Sequence, residues 1–220
     1  MPADIAFVHT SPVHVATFDA LMEKQAPQMA VHHVVDETLL RDARSKGLDG
    51  AGLADRVHQA MHRGAESGAR MVVCTCSTIG AIAEAMPLRG AFMVARIDRA
   101  MADEAVRLGP EVLVLAALES TLEPTQALIR DSAFRLKRDV RVITQAIPGA
   151  WQLFERADMD GYAACIAAAA RQALPGPSVI VLAQASMAGA EQLLRDAGVP
   201  VLSSPRLGVA AAIAALEGAG

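Results

Sequence analysis

Short runs of β-branched and other apolar residues alternate along this chain with longer Ala-rich stretches. That alternation is the pattern of parallel strands joined by crossover helices. The runs predict strands at Ile5–Thr10, Val31–Asp36, Met71–Thr75, Phe92–Arg96, Val112–Leu118, Val140–Gln145, Val179–Ala183 and Val199–Ser203. Most lack a polar residue at every second position, so both faces of each sheet are expected to be covered. Helices are predicted over Leu53–Ser67, Thr78–Met86, Asp98–Leu108, Pro124–Lys137, Ala150–Ala173, Ala188–Ala197 and Arg206–Leu216. Gly47, Gly68, Gly109 and Gly198 stand where helix ends call for them.

The pattern repeats. "MVVCTCSTIGAIAEA" from Met71 aligns with "VIVLAQASMAGAEQL" from Val179, 108 residues on, and the same offset sets Ile5 on Leu113, Val31 on Asp139 and Phe92 on Pro200. One offset serving four strand pairs points to duplication. The expected fold is therefore α/β, with two pseudo-symmetric Rossmann-like lobes, each a four-stranded parallel sheet flanked by helices. Residues 1–97 with 206–220 are expected to form the N-terminal lobe and residues 98–205 the C-terminal one. Open α/β sheets bind ligands beyond the carboxyl ends of their strands, so an active site is expected in the cleft between the lobes.

Composition narrows the function. The 220 residues are 53% hydrophobic and 20% charged, with a formal net charge of -4 and no basic run interleaved with aromatics, which excludes a nucleic-acid partner. No apolar segment approaches the roughly 20 residues of a membrane helix, and the N-terminus has no basic segment followed by a long apolar one. A cytoplasmic protein is expected. Three cysteines, an odd number, argue for free thiols over a disulfide framework.

"MVVCTCSTIG", Met71 to Gly80, then carries the chemistry. Cys76 follows a strand and precedes the helix predicted from Thr78, where amide N–H groups and the positive helix end favour a thiolate. The same N–H groups, with the hydroxyls of Ser77 and Thr78, suit a substrate carboxylate and the enediolate formed when a neighbouring proton leaves. Cys74, deeper on the strand, and Cys165, on an apolar helix face, read as packing. No second cysteine pair or spaced histidine completes a metal site, and His58 and His62 lack the glutamate of the zinc-protease motif. His32 and His33 are adjacent on a strand and point to opposite faces. No glycine-rich nucleotide motif is present, so no cofactor is expected.

The strand followed by Cys76-Ser77-Thr78 and a helix resembles the first cysteine motif of the aspartate/glutamate racemase superfamily, where Cys-Asn-Thr is frequent. "VIVLAQASMAGAEQL" and "GVPVLSSPRLGVAAA" are similar to that superfamily's second motif and the strand after it. The resemblance spans essentially the whole chain. It implies a cofactor-independent racemase or isomerase of a small carboxylic or amino acid, acting through the Cys76 thiolate and assembled as a homodimer or larger homo-oligomer. The superfamily also includes hydantoin racemases, maleate isomerase and arylmalonate decarboxylase.

Gln184 stands where the second cysteine belongs, and an amide has no useful pKa. Another residue would then supply the second proton, with His9, Ser11, Asp36, Glu37 and Glu119 at strand ends as candidates, or the reaction needs one thiol, as in decarboxylation or double-bond isomerisation. A third reading is a small-carboxylate binding protein without turnover. Around Cys76, the catalytic candidates are His9 and Glu119. Thr10, Ser11, Ser77, Thr78, Ser120, Thr121, Gln184, Ser186 and Arg206 are expected to hold the substrate, with Arg96 as a second candidate for a substrate carboxylate.

Overall fold

The computed structural model describes residues 2–87 and 92–218. Eight strands form two sheets of four, every pair parallel. The first contains β1 (Ile5–His9), β2 (Val31–Val35), β3 (Met71–Cys74) and β4 (Met93–Arg96) in the order β2-β1-β3-β4. The second contains β5 (Glu111–Ala116), β6 (Arg141–Ala146), β7 (Val179–Leu182) and β8 (Val201–Ser203) in the same order, β6-β5-β7-β8. The chain divides into two compact units, one running to Asp98 and resuming at Pro205, the other Arg99–Ser204.

The duplication holds in topology but not at one spacing. Ile5 pairs with Val31 and Met71, whereas their counterparts pair as Val112 with Val142 and Val179. The equivalent positions are thus 107 residues apart for β1 and β5, 111 for β2 and β6, and 108 for β3 and β7. The fourth pair, Val94 and Val201, is 107 apart. Ile5 corresponds to Val112, not Leu113, and the link from β5 to β6 is four residues longer than its counterpart. A shift of one residue would turn every side chain to the other face, so burial sets the register where an ungapped comparison cannot.

The inner strands β1, β3, β5 and β7 are buried on both faces, as the apolar runs predict, whereas the edge strand β2 is partly exposed and the edge strand β6 mostly so. On one face of the first sheet, α2 (Glu37–Lys46) and α3 (Leu53–Glu66) contribute Leu39, Ala43, Val57, Ala60 and Met61 to a cluster that includes Val72, Cys74 and Cys76. On the other, α1 (Val13–Gln25) and the last helix in the chain, α10 (Ser204–Gly218), pack Phe18, Met22, Val209 and Ile213 on Phe7 and Val73. Gly208 admits this approach, because a Cβ there would lie 2.1 Å from the Ile97 carbonyl oxygen. In the second unit, α7 (Ala150–Glu155) and α8 (Met159–Gln172) cover one face. Helices α5 (Arg99–Leu108) and α6 (Glu119–Leu136) bury Met101, Ala105, Leu128 and Ile129.

Several helix boundaries depart from expectation, each for a local reason. Helices α1 and α2 are additional. Only Phe18 and Met22 of α1 are buried, too thin an apolar stripe to read, while α2 is announced by Asp36, whose carboxylate accepts from the Thr38 amide. The stretch Ala150–Ala173 is two helices. Ala157 has φ 58°, and the Asp158 carboxylate accepts from the Gly161 amide at 2.9 Å to start α8 afresh. Helix α6 begins at Glu119 and runs through Pro124, so Glu119, Ser120 and Thr121 occupy a first helical turn and not a loop. Helix α4 is a single turn, Gly80–Glu84, and after β7 a 3-10 turn, Ala185–Gly189, precedes the short α9, Ala190–Leu193. No helix among the described residues is long and apolar enough to cross a membrane.

Candidate active site

At the end of β3 the chain leaves the sheet through Thr75, Cys76, Ser77 and Thr78 before α4. These residues are 2%, 9%, 4% and 3% exposed, against 1% for Cys74, so Cys76 retains the most surface at this turn. The expected contribution of a helix end to Cys76 is corrected. Helix α4 starts at Gly80, four residues beyond the thiol, and spans five residues, so little aligned dipole stands behind it. What orders the turn instead is a set of contacts to its carbonyls, including the Gly80 amide donating to the Ser77 carbonyl oxygen at 3.4 Å. The Cys74 thiol donates to the Cys76 carbonyl oxygen at 3.6 Å, and Arg96 Nη2 donates to the Ser77 carbonyl oxygen at 3.3 Å. Burial, with the neighbouring Cys76, pushes the Cys74 thiol well above its ordinary range, which keeps it protonated and able to donate.

Arg96 is not presented to a ligand as expected. It ends β4 beside Cys74 in the ladder, and its Nε and Nη2 donate to the two carboxylate oxygens of Asp98 at 2.6 and 3.0 Å. The two side chains are 3% and 0% exposed. Burial alone would lower the guanidinium pKa; the Asp98 carboxylate outweighs it and holds the group charged.

His9 lies behind the same strand end. It is fully buried, with Nδ1 2.8 Å from Thr75 Oγ1 and Nε2 2.8 Å from His33 Nδ1, while His33 Nε2 lies 2.9 Å from Asp19 Oδ1. Thr75 Oγ1 is also 3.0 Å from the Val8 carbonyl oxygen. The hydroxyl has one proton to give, to Val8 or to His9, and each choice sets a different tautomer along the chain. Burial, then the nearby His33 and His14, lowers the His9 pKa to about 3, and burial lowers that of His14 to about 4. The sequence offered no sign of this histidine chain, because Asp19, His33 and Thr75 meet His9 only through pairing of β1 with β2 and β3 and packing of α1.

The other strand-end candidates have separate duties. Asp36 caps α2 and pairs with Arg63; burial would raise its pKa, but hydrogen bonds from Thr38 and Arg63 outweigh this and hold it low. Glu37 is exposed in the first turn of α2. Thr10 is 7% exposed and Ser11 half-buried, in the link from β1 to α1. Arg206 is exposed near the start of α10.

In the second unit, the position matching Cys76 is an anchor. Gln184 Oε1 accepts from the amides of Ala117 at 2.7 Å and Leu118 at 3.2 Å, at the end of β5. Ser186, expected to hold substrate, is 3.0 Å from the hydroxyl of Tyr162, whose own pKa is pushed up to about 12 by burial. Thr121 is buried, Ser120 Oγ is buried without a hydrogen-bond partner, and Glu119 is exposed. Of the remaining histidines, His58 Nε2 meets the Ile82 carbonyl oxygen at 3.3 Å and His62 packs edge-on against Phe92. No group of three or more His, Cys, Asp or Glu among the described residues is placed to hold a metal.

A tandem pair of parallel four-stranded units, with a thiol and hydroxyls at one strand end, defines the double α/β class to which the amino-acid racemases belong. The family model of Asp/Glu/hydantoin racemase matches residues 10–212, and the chain belongs to that family of enzymes. Solved structures show the same fold at low identity. Glutamate racemase from Bacillus anthracis is 16% identical, with a TM-score of 0.72 over 99% of this chain and 83% of that one. Allantoin racemase from Pseudomonas fluorescens is 19% identical, with a TM-score of 0.60 over 98% and 91%. Arylmalonate decarboxylase is 15% identical, with a TM-score of 0.65 over 98% and 93%. No curated protein matches the sequence.

Proposed function

We propose that this protein is a cofactor-independent isomerase of the racemase type that moves a proton at an acidic C–H of a small carboxylic or amino acid, with Cys76 as its single thiol acid/base. The observation that carries this reading is the bond from Gln184 Oε1 to the Ala117 and Leu118 amides. It supports the view that this repeated strand end is built to hold an sp² oxygen on two backbone N–H groups. With β1 and β5 offset by 107 residues, the matching amides in the first unit are those of Thr10 and Ser11. Cysteine has a single heavy atom beyond Cβ where glutamine has four. At Cys76 the side chain is too short to reach across as Gln184 does, and a substrate carboxylate oxygen takes that place beside the sulfur. Ser77 and Thr78 complete the carboxylate shell.

Gln184, engaged as an anchor, supplies no second proton. His9 is buried with both ring nitrogens engaged, which favours a supporting role over contact with substrate. The test is deuterium uptake from D2O by aspartate, glutamate, allantoin and an arylmalonate, followed by NMR and chiral chromatography. We expect one class of acid to gain deuterium at the acidic carbon as it converts to its isomer, with loss of both signals in Cys76→Ala. Exchange at the native rate in Cys76→Ala would end the proposal. A binding protein would instead show ligand-raised thermal stability and no exchange.

A further inference from the structure

The Arg96–Asp98 pair is almost wholly enclosed by protein, its side chains 3% and 0% exposed, and burying it is expensive. Removing two charges from water costs several kcal/mol per ion before their attraction is counted, so such a pair is a poor device for stability alone. Its geometry shows where that cost is used. Nη2 carries two hydrogens; one serves Asp98 Oδ2 at 3.0 Å and the other the Ser77 carbonyl oxygen at 3.3 Å. Nε holds Asp98 Oδ1 at 2.6 Å, so the plane of the guanidinium is locked. Glu84 stands at 4.0 Å from Nη1 on the outer side. The group lies flat against the backbone of Gly80, where a Cβ would come within 2.9 Å of Cζ, Nε and Nη2.

A trans peptide is planar, with C=O and N–H on opposite sides. The Ser77 carbonyl accepts from Arg96 at 3.3 Å and from the Gly80 amide of its own turn at 3.4 Å, so the Thr78 N–H is directed away from the guanidinium. The Cys76 carbonyl is drawn inward by the Cys74 thiol at 3.6 Å, so the Ser77 N–H faces the opposite way as well. Two consecutive peptide planes beside Cys76 are thus held by buried side chains, the second together with the Gly80 amide.

We propose that Arg96, neutralised by Asp98, is a positioning residue that orients the Cys76–Ser77–Thr78 turn toward a carboxylate-bearing ligand. The proposal rests on the reading of Cys76 as a thiol beside a carboxylate site. Lysine would keep the charge at this place but not the fork that serves Asp98 and Ser77 together, so Arg96→Lys separates orientation from charge.

The experiment compares alkylation of the native protein by iodoacetate, which carries a carboxylate, and by its neutral counterpart iodoacetamide. Rates are read at each cysteine by mass spectrometry, with Cys165 as the internal reference. We expect the iodoacetate-to-iodoacetamide rate ratio at Cys76 to exceed that at Cys165 roughly tenfold, as charge-assisted hydrogen bonds to the reagent allow. In folded Arg96→Lys it should fall to within about twofold of the Cys165 value. An unchanged high ratio in Arg96→Lys overturns the positioning role while leaving the carboxylate site standing. A native ratio no higher than that of Cys165 overturns the carboxylate site itself, and the positioning role with it. If Arg96→Lys does not fold, Arg96→Met combined with Asp98→Leu removes both fully buried charges together and is judged by the same ratios.

Discussion

Gln184 Oε1 closes the end of β5 by accepting from the Ala117 amide at 2.7 Å, with Leu118 as a second donor at 3.2 Å. Gln184→Leu keeps the volume and removes the acceptor, leaving two backbone donors without their partner. We expect a loss of about 1–3 kcal/mol in urea unfolding at neutral pH. Gln184→Glu retains an acceptor and should lose less. Equal midpoints for Gln184→Leu and the native protein would show that the bond does not anchor the strand end.

The histidine cluster gives stability a pH window. His9 and His14 have ordinary values of 6.5 lowered to about 3 and about 4 in the fold, so the unfolded chain binds more protons than the native one below pH 6.5. Their contribution is complete above that pH and is lost as pH falls toward the folded values. Each unit below 6.5 costs up to about 1.4 kcal/mol per histidine. Chemical denaturation at pH 7, 6 and 5 should show this decline, and His14→Leu should remove about half of the slope. A stability flat from pH 7 to 5 would contradict the burial of these rings as neutral groups.

Among the thiols, Cys74 should be the last to react with iodoacetamide in the native state, since it is 1% exposed and its pKa is raised by burial. Cys76 and the half-buried Cys165 should label first. Cys165→Ala should leave deuterium exchange unchanged, whereas Cys76→Ala should lower it by at least about 100-fold. Labelling of Cys74 ahead of Cys76 in folded protein would place the wrong sulfur at the surface.

Gly208→Ala tests the seat of the last helix. The new Cβ would meet the Ile97 carbonyl oxygen, a backbone atom, at 2.1 Å, so α10 must shift. A loss of about 1–3 kcal/mol is expected. Gly218→Ala, with nothing within 4 Å, is the control and should lie within about 0.5 kcal/mol of the native protein. Indistinguishable melting curves for the two variants would show that α10 is not held against this carbonyl.

Periodicity and composition were enough for the strands, the duplication and the exceptional turn at Cys76, because a buried parallel strand needs an unbroken apolar run and a turn needs small polar residues. The site around that turn was legible only in part. Cys76, Ser77 and Thr78 are neighbours in the chain, and so is Thr75, yet Thr75 showed no sign of its bond to His9, 66 residues earlier. Arg96 read as a ligand for substrate until Asp98, two residues on, was seen to bind it from within. Gln184 read as the loss of a cysteine, and its amide oxygen proved to be a cap.

The sequence by itself therefore determined the two parallel α/β sheets, their order along the chain and the place of one strand-end thiol, since these follow from local apolar patterning. Only the tertiary structure decided which charges are neutralised, which histidines are buried and which amides are already bound. Those properties depend on hydrogen bonds and desolvation between residues far apart in the chain, brought together by strand pairing and helix packing, and no local pattern encodes them.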